Sequence, residues 1–152
     1  MIILLLLFMT TCGTNDDENI TFTPVNNIEE LSDDERVLLF KVDSFRAMNG
    51  KRSFILDKLH GELALKRNKD NAKLDSITHE GFANIHLILI KAGASSVGEN
   101  LGYKYSSAKT VFEAWVKSEK HRSNLLSDAI YTGASRFVDD NGTVYYCEIF
   151  SK

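Results

Sequence analysis

The C-terminal part of the chain constrains its architecture most. Two runs rich in β-branched and aromatic residues, Ala134 to Val138 and Thr143 to Phe150, flank Asp139-Asp140-Asn141-Gly142. Asp, Asn and Gly supply the local hydrogen bonds and the backbone freedom that a tight turn needs, so the pattern predicts an antiparallel hairpin. Alternation along its second strand sets Tyr145, Cys147 and Ile149 on one face, with Tyr146, Glu148 and Phe150 on the other.

Upstream, helical periodicity takes over. Ser32 and Glu35 have the spacing of a capping box, and Leu38, Val42, Phe45 and Met48 follow at helical intervals until Asn49-Gly50. Asp57 is a second cap candidate, before a helix holding Leu59, Leu63 and Ala64 and running to about Asn68. The stretch from Gly81 to Lys91 is apolar nearly all round, which predicts a buried helix. Val97 to Tyr105, with Gly98 and Gly102 among aromatic residues, reads as a strand. Ser107 can cap a helix containing Val111, Ala114 and Trp115, and a short helical piece through Leu125 and Leu126 follows.

At the N-terminus, Ile2 to Met9 is apolar and uncharged, yet a membrane-spanning helix needs about 20 such residues. The run has the length of a signal-peptide core, and the Thr10-Thr11-Cys12 that follows resembles a bacterial lipobox, in which the cysteine is acylated and becomes the new N-terminus. The division that follows is 1–11 signal peptide, 12–30 lipidated acidic tether and 31–152 folded domain. The tether carries Asn15-Asp16-Asp17-Glu18 and the single proline, Pro24, and is too polar to bury a core. Its acidic cluster resembles the surface-export signal of some outer-membrane lipoproteins; a plain soluble spacer is the alternative. A cleaved secretory signal with an incidental Cys12 is the alternative to lipidation, and either reading puts the domain outside the cytoplasm.

With 152 residues, 43% of them apolar, the chain is long enough for one domain with a real core. A net charge of −3 offers no cationic field for a phosphate backbone, so nucleic acid is not an expected partner. Two cysteines are too few for a disulfide framework, and packing must supply stability. Familiar catalytic motifs are broken. His79-Glu80 begins a zinc-protease HExxH, but Ala83 stands where the second histidine belongs. Glu99 follows the loop-like Gly93 to Gly98 where a phosphate loop has lysine, and that segment lacks the GxSxG of a nucleophile elbow.

Taken in order, several short pieces between about Val37 and Phe150 resemble the CAP superfamily, whose bacterial members are often called SCP-like extracellular proteins. They are Phe45-Arg46-Ala47-Met48-Asn49-Gly50, Thr78-His79, Gly98-Glu99-Asn100-Leu101, Trp115-Val116-Lys117-Ser118, His121-Arg122-Ser123-Asn124-Leu125-Leu126, and Gly133 with the hairpin. The resemblance implies an α+β fold, a three-layer α-β-α sandwich around a small antiparallel sheet. It also implies a cleft lined by two histidines and two acidic residues, which binds divalent metal in some members. His79, Glu99 and His121 match three of those positions, while Ser118, with Glu119 beside it, stands at the fourth where the family has glutamate.

Cleft-binding residues are therefore expected at His79, Glu99, Ser118 and His121, converging from the approach to the third helix, the start of the first strand and the turn after the Trp115 helix. Two imidazoles and a carboxylate are suitable zinc donors, so His79, Glu99 and His121 are the candidate metal ligands; no cofactor is required, and zinc or another divalent metal is the one the donors suit. Outside this set, His60 reads as a helix-surface residue and His86 as a satisfied core histidine. Arg46 reads as a structural contact, Trp115 as core and Cys147 as a small buried hydrophobe. The function favoured is a binding module for a small ligand, lipid, glycan or peptide, tethered to the membrane through Cys12. A metal-assisted hydrolase and an adhesive surface protein are the alternatives. Lipidation makes a direct prediction: mass spectrometry of membrane fractions should find an acylated N-terminal Cys12, and a soluble product starting elsewhere would exclude it.

Overall fold

The structure, a computed structural model, describes residues 20–25 and 28–152. The signal segment, Cys12 and the acidic cluster lie outside these residues. A 3-10 turn at Ile28–Glu30 leads into helix α1 (Asp33–Met48), and then come strand β1 (Ile55–Leu56), α2 (Lys58–Lys73), α3 (Phe82–Lys91), β2 (Val97–Tyr103), α4 (Ala108–Lys117), α5 (Glu119–Leu125), β3 (Tyr131–Val138) and β4 (Val144–Ser151). The four strands lie in the order β1-β3-β4-β2. The hairpin pairs β3 with β4 antiparallel from Tyr131–Ser151 to Val138–Val144, and β2 lies antiparallel along the other side of β4. Two-residue β1, too short to leave an alternating signature, pairs parallel with β3 and makes the sheet mixed.

Local chemistry places the helix starts where the sequence indicates. Ser32 Oγ accepts from the Glu35 amide, and the Glu35 carboxylate accepts from the Ser32 amide at 2.8 Å, completing the capping box of α1. Asp57 caps α2 by accepting from the His60 amide at 3.1 Å, and Ser107 caps α4. Packing carries α2 past the expected end at Asn68 to Lys73: Asn68 is buried and donates to the Ser135 carbonyl of β3, and Asn71 is buried beside Arg67.

Three layers follow from β4, whose Tyr145–Ser151 segment is buried throughout. On one face Tyr146 and Phe150 meet Leu38 and Val42 of α1, Val111 and Trp115 of α4 and Leu125 of α5. On the other, Cys147 and Ile149 meet Leu63 and Ala64 of α2 and Ile85 and Leu89 of α3. Each large apolar side chain so buried contributes about 1.5–3 kcal/mol. Gly133 is where β3 and α2 touch backbone to backbone: a Cβ there would lie 2.2 Å from the Gly61 nitrogen, so no larger residue fits.

Several expectations are corrected. Helix α3 buries only Ile85 and Leu89, and Leu87 is 57% exposed, because one layer covers it and nothing packs on its outer side among the described residues. His86 accordingly sits exposed, with its ring edge-on to Phe82. His60 is not on the surface but fully buried. Its Nδ1 lies 2.6 Å from Asp57 Oδ1 and its Nε2 2.8 Å from Ser151 Oγ, tying the start of α2 to the end of β4. The tether's distal part also packs. The Lys58 amide donates to Thr23 O, the Val25 amide donates to Leu56 O, and the Phe22 ring centroid lies 4.7 Å from that of Tyr131 and 5.5 Å from that of His60. The segment at 22–25 thus docks along β1 rather than hanging free.

Glu148, on the α1 side of β4, is the least conventional core residue. Burial pushes its carboxyl up to about 8, against the opposing effects of the Thr132 hydrogen bond and the Arg46 charge. Thr132 Oγ1 lies 3.1 Å from Glu148 Oε1 and 2.9 Å from the Ile149 carbonyl. A single hydroxyl proton cannot serve two acceptors fully, and a protonated Glu148 donating to Thr132 resolves the conflict. The folded state therefore holds a proton that the unfolded chain, with an ordinary value of 4.5, releases. This stabilisation is complete below about 4.5 and is lost as pH rises through about 8. Buried His60, held below its ordinary 6.5 mainly by desolvation, acts in the opposite sense and costs stability as pH falls below that value. Glu148→Gln should therefore raise the thermal midpoint over wild type by a margin that grows from about pH 5 to about pH 8.5. A margin independent of pH would mean that Glu148 does not titrate in the folded protein.

Candidate functional site

Glu99 is the third residue of β2, and the next two polar contacts explain why its neighbours are asparagines. Asn124, on α5, donates from Nδ2 to the Glu99 carbonyl at 3.0 Å and to Asn100 Oδ1 at 2.9 Å. Asn100 in turn donates to the His121 carbonyl at 3.1 Å, and Trp115 Nε1 donates to the Leu101 carbonyl at 2.9 Å. The Gly-Glu-Asn-Leu strand and the His-Arg-Ser-Asn helix are therefore two halves of one clamp. Gly98 leaves room for it, since a Cβ there would stand 3.3 Å from Asn124 Oδ1.

The clamp fixes where His121 and Glu99 stand relative to His79. His79, in the turn before α3, has a side chain 71% exposed, with Nδ1 3.8 Å from Glu99 Oε1, beyond hydrogen-bond range. His121 lies within α5 rather than in a preceding turn, half-buried, its ring centroid 6.5 Å from that of Trp115. Its proton affinity is lowered first by burial and then by the charges of Lys120 and His79, so it is neutral near pH 7. His79 approaches Glu99, and the Asn124 and Asn100 bonds tie the α5 backbone at His121 to the strand that carries Glu99. Ser118 is half-buried at the junction of α4 and α5; its backbone amide donates to Ala114 O at 3.1 Å, and its side chain caps neither helix. No hydrogen bond joins it to the other three among the described residues.

Sequence reasoning missed the residue that holds the Glu99 carboxylate. Arg67 of α2 donates from Nε to Glu99 Oε2 at 2.7 Å, and Nη2 lies 3.4 Å from Oε1, the two side chains being only 4% and 3% exposed. Nη2 also donates to the Thr78 carbonyl, which anchors the turn carrying His79. A signal was present: Leu63, Arg67 and Asn71 lie at i, i+4 and i+8, so a charge and an amide stand on the stripe of α2 that its apolar residues bury. The guanidinium also weighs on the metal expectation. Both oxygens of Glu99 face Arg67, a divalent ion there would sit against a fixed positive charge, and among the described residues no group of three or more His, Cys, Asp or Glu is arranged to hold a metal. As arranged, the Glu99 carboxylate is committed to Arg67 rather than free to ligate a cation.

A second constellation also went unseen. Asp57, His60 and Ser151 are linked in the order of a hydrolase triad, but they are 0–1% exposed and covered by Phe22 and Tyr131. Without a route for a substrate they form a structural relay.

No family model and no curated protein matches the sequence. Solved structures do. An outer surface protein of Borrelia burgdorferi superposes with a TM-score of 0.72 at 18% identity, over 87% of this chain and 98% of that one. A cysteine-rich secretory protein of Staphylococcus aureus gives 0.66 at 21% identity over 82% of this chain, and an extracellular SCP-domain protein of Bacillus anthracis gives 0.65 at 21% identity over 78%. This chain spans 40% of each of the latter two. The fold is that of the CAP superfamily, as the order of the short motifs implies.

The Arg67–Glu99 pair makes a prediction. Arg67→Met leaves a buried carboxylate without its partner and should cost about 3–5 kcal/mol in chemical denaturation, whereas Arg67→Met with Glu99→Gln should recover most of that loss. Equal stability of wild type and the single variant would show that the pair is not what holds Glu99 in place.

Proposed function

We propose that this protein is an extracytoplasmic surface lipoprotein whose CAP-type domain is a binding module, with His79, Glu99 and His121 forming a cleft for the polar group of a small ligand, lipid, glycan or peptide. The observation that carries the reading is the asymmetry of the three residues. Glu99 is held rigid and buried by Arg67, while His79 is largely free to solvent and His121 is half-buried and neutral. A fixed base with two adaptable imidazoles suits reversible hydrogen bonding to a ligand. The structural neighbours are outer-surface, secretory and extracellular proteins, which supports the location.

The hydrolase alternative gains nothing from the one triad-like arrangement, which is sealed in the core. The adhesive alternative has an observation of its own: Phe40 and Met48 of α1 are 73% and 78% exposed and share one helical face with Val37. Both are tested together. The intrinsic fluorescence of Trp115, the single tryptophan, should report titration with short peptides, oligosaccharides, lysolipids and zinc chloride, given its proximity to His121. One of the organic classes should bind saturably, and His79→Ala should weaken it at least tenfold, about 1.4 kcal/mol, without moving the thermal midpoint. Response to zinc alone would replace the ligand reading with a metal one. No response to any class, or undiminished binding by His79→Ala, defeats the cleft reading, and the latter result would favour the α1 face.

A further inference from the structure

The loop after α1 is folded around Arg46. This residue, only 2% exposed, donates from Nε to the Arg52 carbonyl at 2.8 Å and from Nη1 to the carbonyls of Leu125 and Ser127 at 2.6 and 3.0 Å, and its guanidinium carbon lies 3.5 Å from the Phe54 ring centroid. All these acceptors are neutral, so the charge is held in place without a carboxylate to cancel it. Burial works against such a charge and lowers its proton affinity, a cost that an anion nearby would lessen.

Beside Arg46 opens a cavity of about 570 Å³, lined also by Lys51, Arg52, Asp128 and Lys152. Four cationic side chains therefore face one carboxylate, and Asp128 is already paired with Lys51 at 2.9 Å. Arg52 and Lys152 are exposed, and neither has an ion-pair partner among the described residues. The other acids nearby are engaged outside the lining. Asp43 accepts from Ser53 Oγ at 2.8 Å, and the Lys152 main-chain oxygen accepts from the Ser95 amide at 2.5 Å and from its hydroxyl at 3.0 Å. Glu148 keeps its proton up to about 8. Counting Asp43 and a carboxylate at Lys152 as full negative charges still leaves the group positive, in a chain whose net charge is −3. One wall is apolar: Ile55 and Ile130, joined by the Ile55 amide donating to Ile130 O at 2.8 Å, line the cavity and are 44% and 45% exposed.

We infer that this cavity is a binding site for a phosphate monoester, its phosphate held by the Arg52 and Lys152 side chains in the field of Arg46 and its organic body lying over Ile55 and Ile130. A single carboxylate matches such an excess of positive charge poorly, whereas a phosphate monoester carries about −1.5 to −2 near pH 7 and three strong acceptor oxygens. The guanidinium of Arg52 is a planar fork that suits them. The cavity shares no lining residue with the His79–Glu99–His121 cleft, so either site can fail a test without the other.

The probes are phenyl phosphate and phenol, added to the ¹⁵N-labelled full chain and followed by NMR. Phenyl phosphate should shift the backbone amide signals of Arg52, Ile55 and Ile130 saturably, and phenol should bind at least tenfold more weakly. Raising the salt to about 1 M, where charges are screened within about 3 Å, should weaken phenyl phosphate severalfold. Arg52→Gln and Lys152→Gln alter exposed side chains and should leave the thermal midpoint unmoved while together weakening phenyl phosphate at least tenfold. Vesicles identify the source of the phosphate. Sedimentation with phosphatidic acid in phosphatidylcholine beyond that with phosphatidylcholine alone, lost in the double variant, supports a lipid headgroup; saturable phenyl phosphate binding without that difference supports a soluble ester. No saturable shift at the three amides overturns the proposal. So does phenol binding as tightly as phenyl phosphate, or undiminished phenyl phosphate binding by the double variant.

Discussion

Burial of β4 on both faces is the constraint on which the rest of the structure depends. A strand with apolar residues at odd and even positions cannot face water on either side, so helices must cover both. The odd positions, Cys147 and Ile149, draw in α2 and α3; the even positions, Tyr146 and Phe150, draw in α1, α4 and α5. The polar residues of β4 have a second duty. Ser151 holds the start of α2 through His60, and Glu148 meets Thr132 of β3, so the strand that gathers the core also fixes register through hydrogen bonds.

The setting of Glu99 follows from how the two helical layers reach the same edge strand. Layer one arrives through Asn124, whose amide joins α5 to the backbone of β2. Layer two arrives through Arg67, whose guanidinium joins α2 to the side chain of Glu99 and to the turn bearing His79. Glu99 is thus gripped by its carbonyl from one side and by its carboxylate from the other. That leaves little freedom to the base and considerable freedom to His79, an arrangement in which the fixed part is set before any ligand arrives.

What could be read from the sequence was whatever depended on local or periodic chemistry. The capping serines, the hairpin turn and the alternation in β4 all rest on neighbours in the chain, and the structure agrees with each. His60 and α3 were misjudged for the opposite reason. A histidine one turn into a helix looks like surface until Ser151, 91 residues away, is found to face it. An apolar helix looks fully buried until the layer that would cover its far side is found to be missing among the described residues. Of the candidate site, His79, Glu99 and His121 could be named through motif order, whereas Arg67 could not, because its partner is 32 residues distant and no motif contains it. Strand β1 escaped because its two residues are held by the segments beside them rather than by their own pattern.

The position of β4 in the chain has a bearing on how the protein assembles. It is the last of the four strands in sequence yet stands inside the sheet, and β2, far earlier in the chain, pairs with no other strand among the described residues. A chain emerging from its N-terminus first, from a ribosome or through a membrane, therefore cannot form the centre of the sheet until nearly all of residues 20–151 have appeared. Up to that point the helices can meet one another but lack the central strand, and part of their apolar surface stays open to solvent or to helper proteins. Sheet closure is consequently a late event of high contact order, in which both core layers gain their central strand.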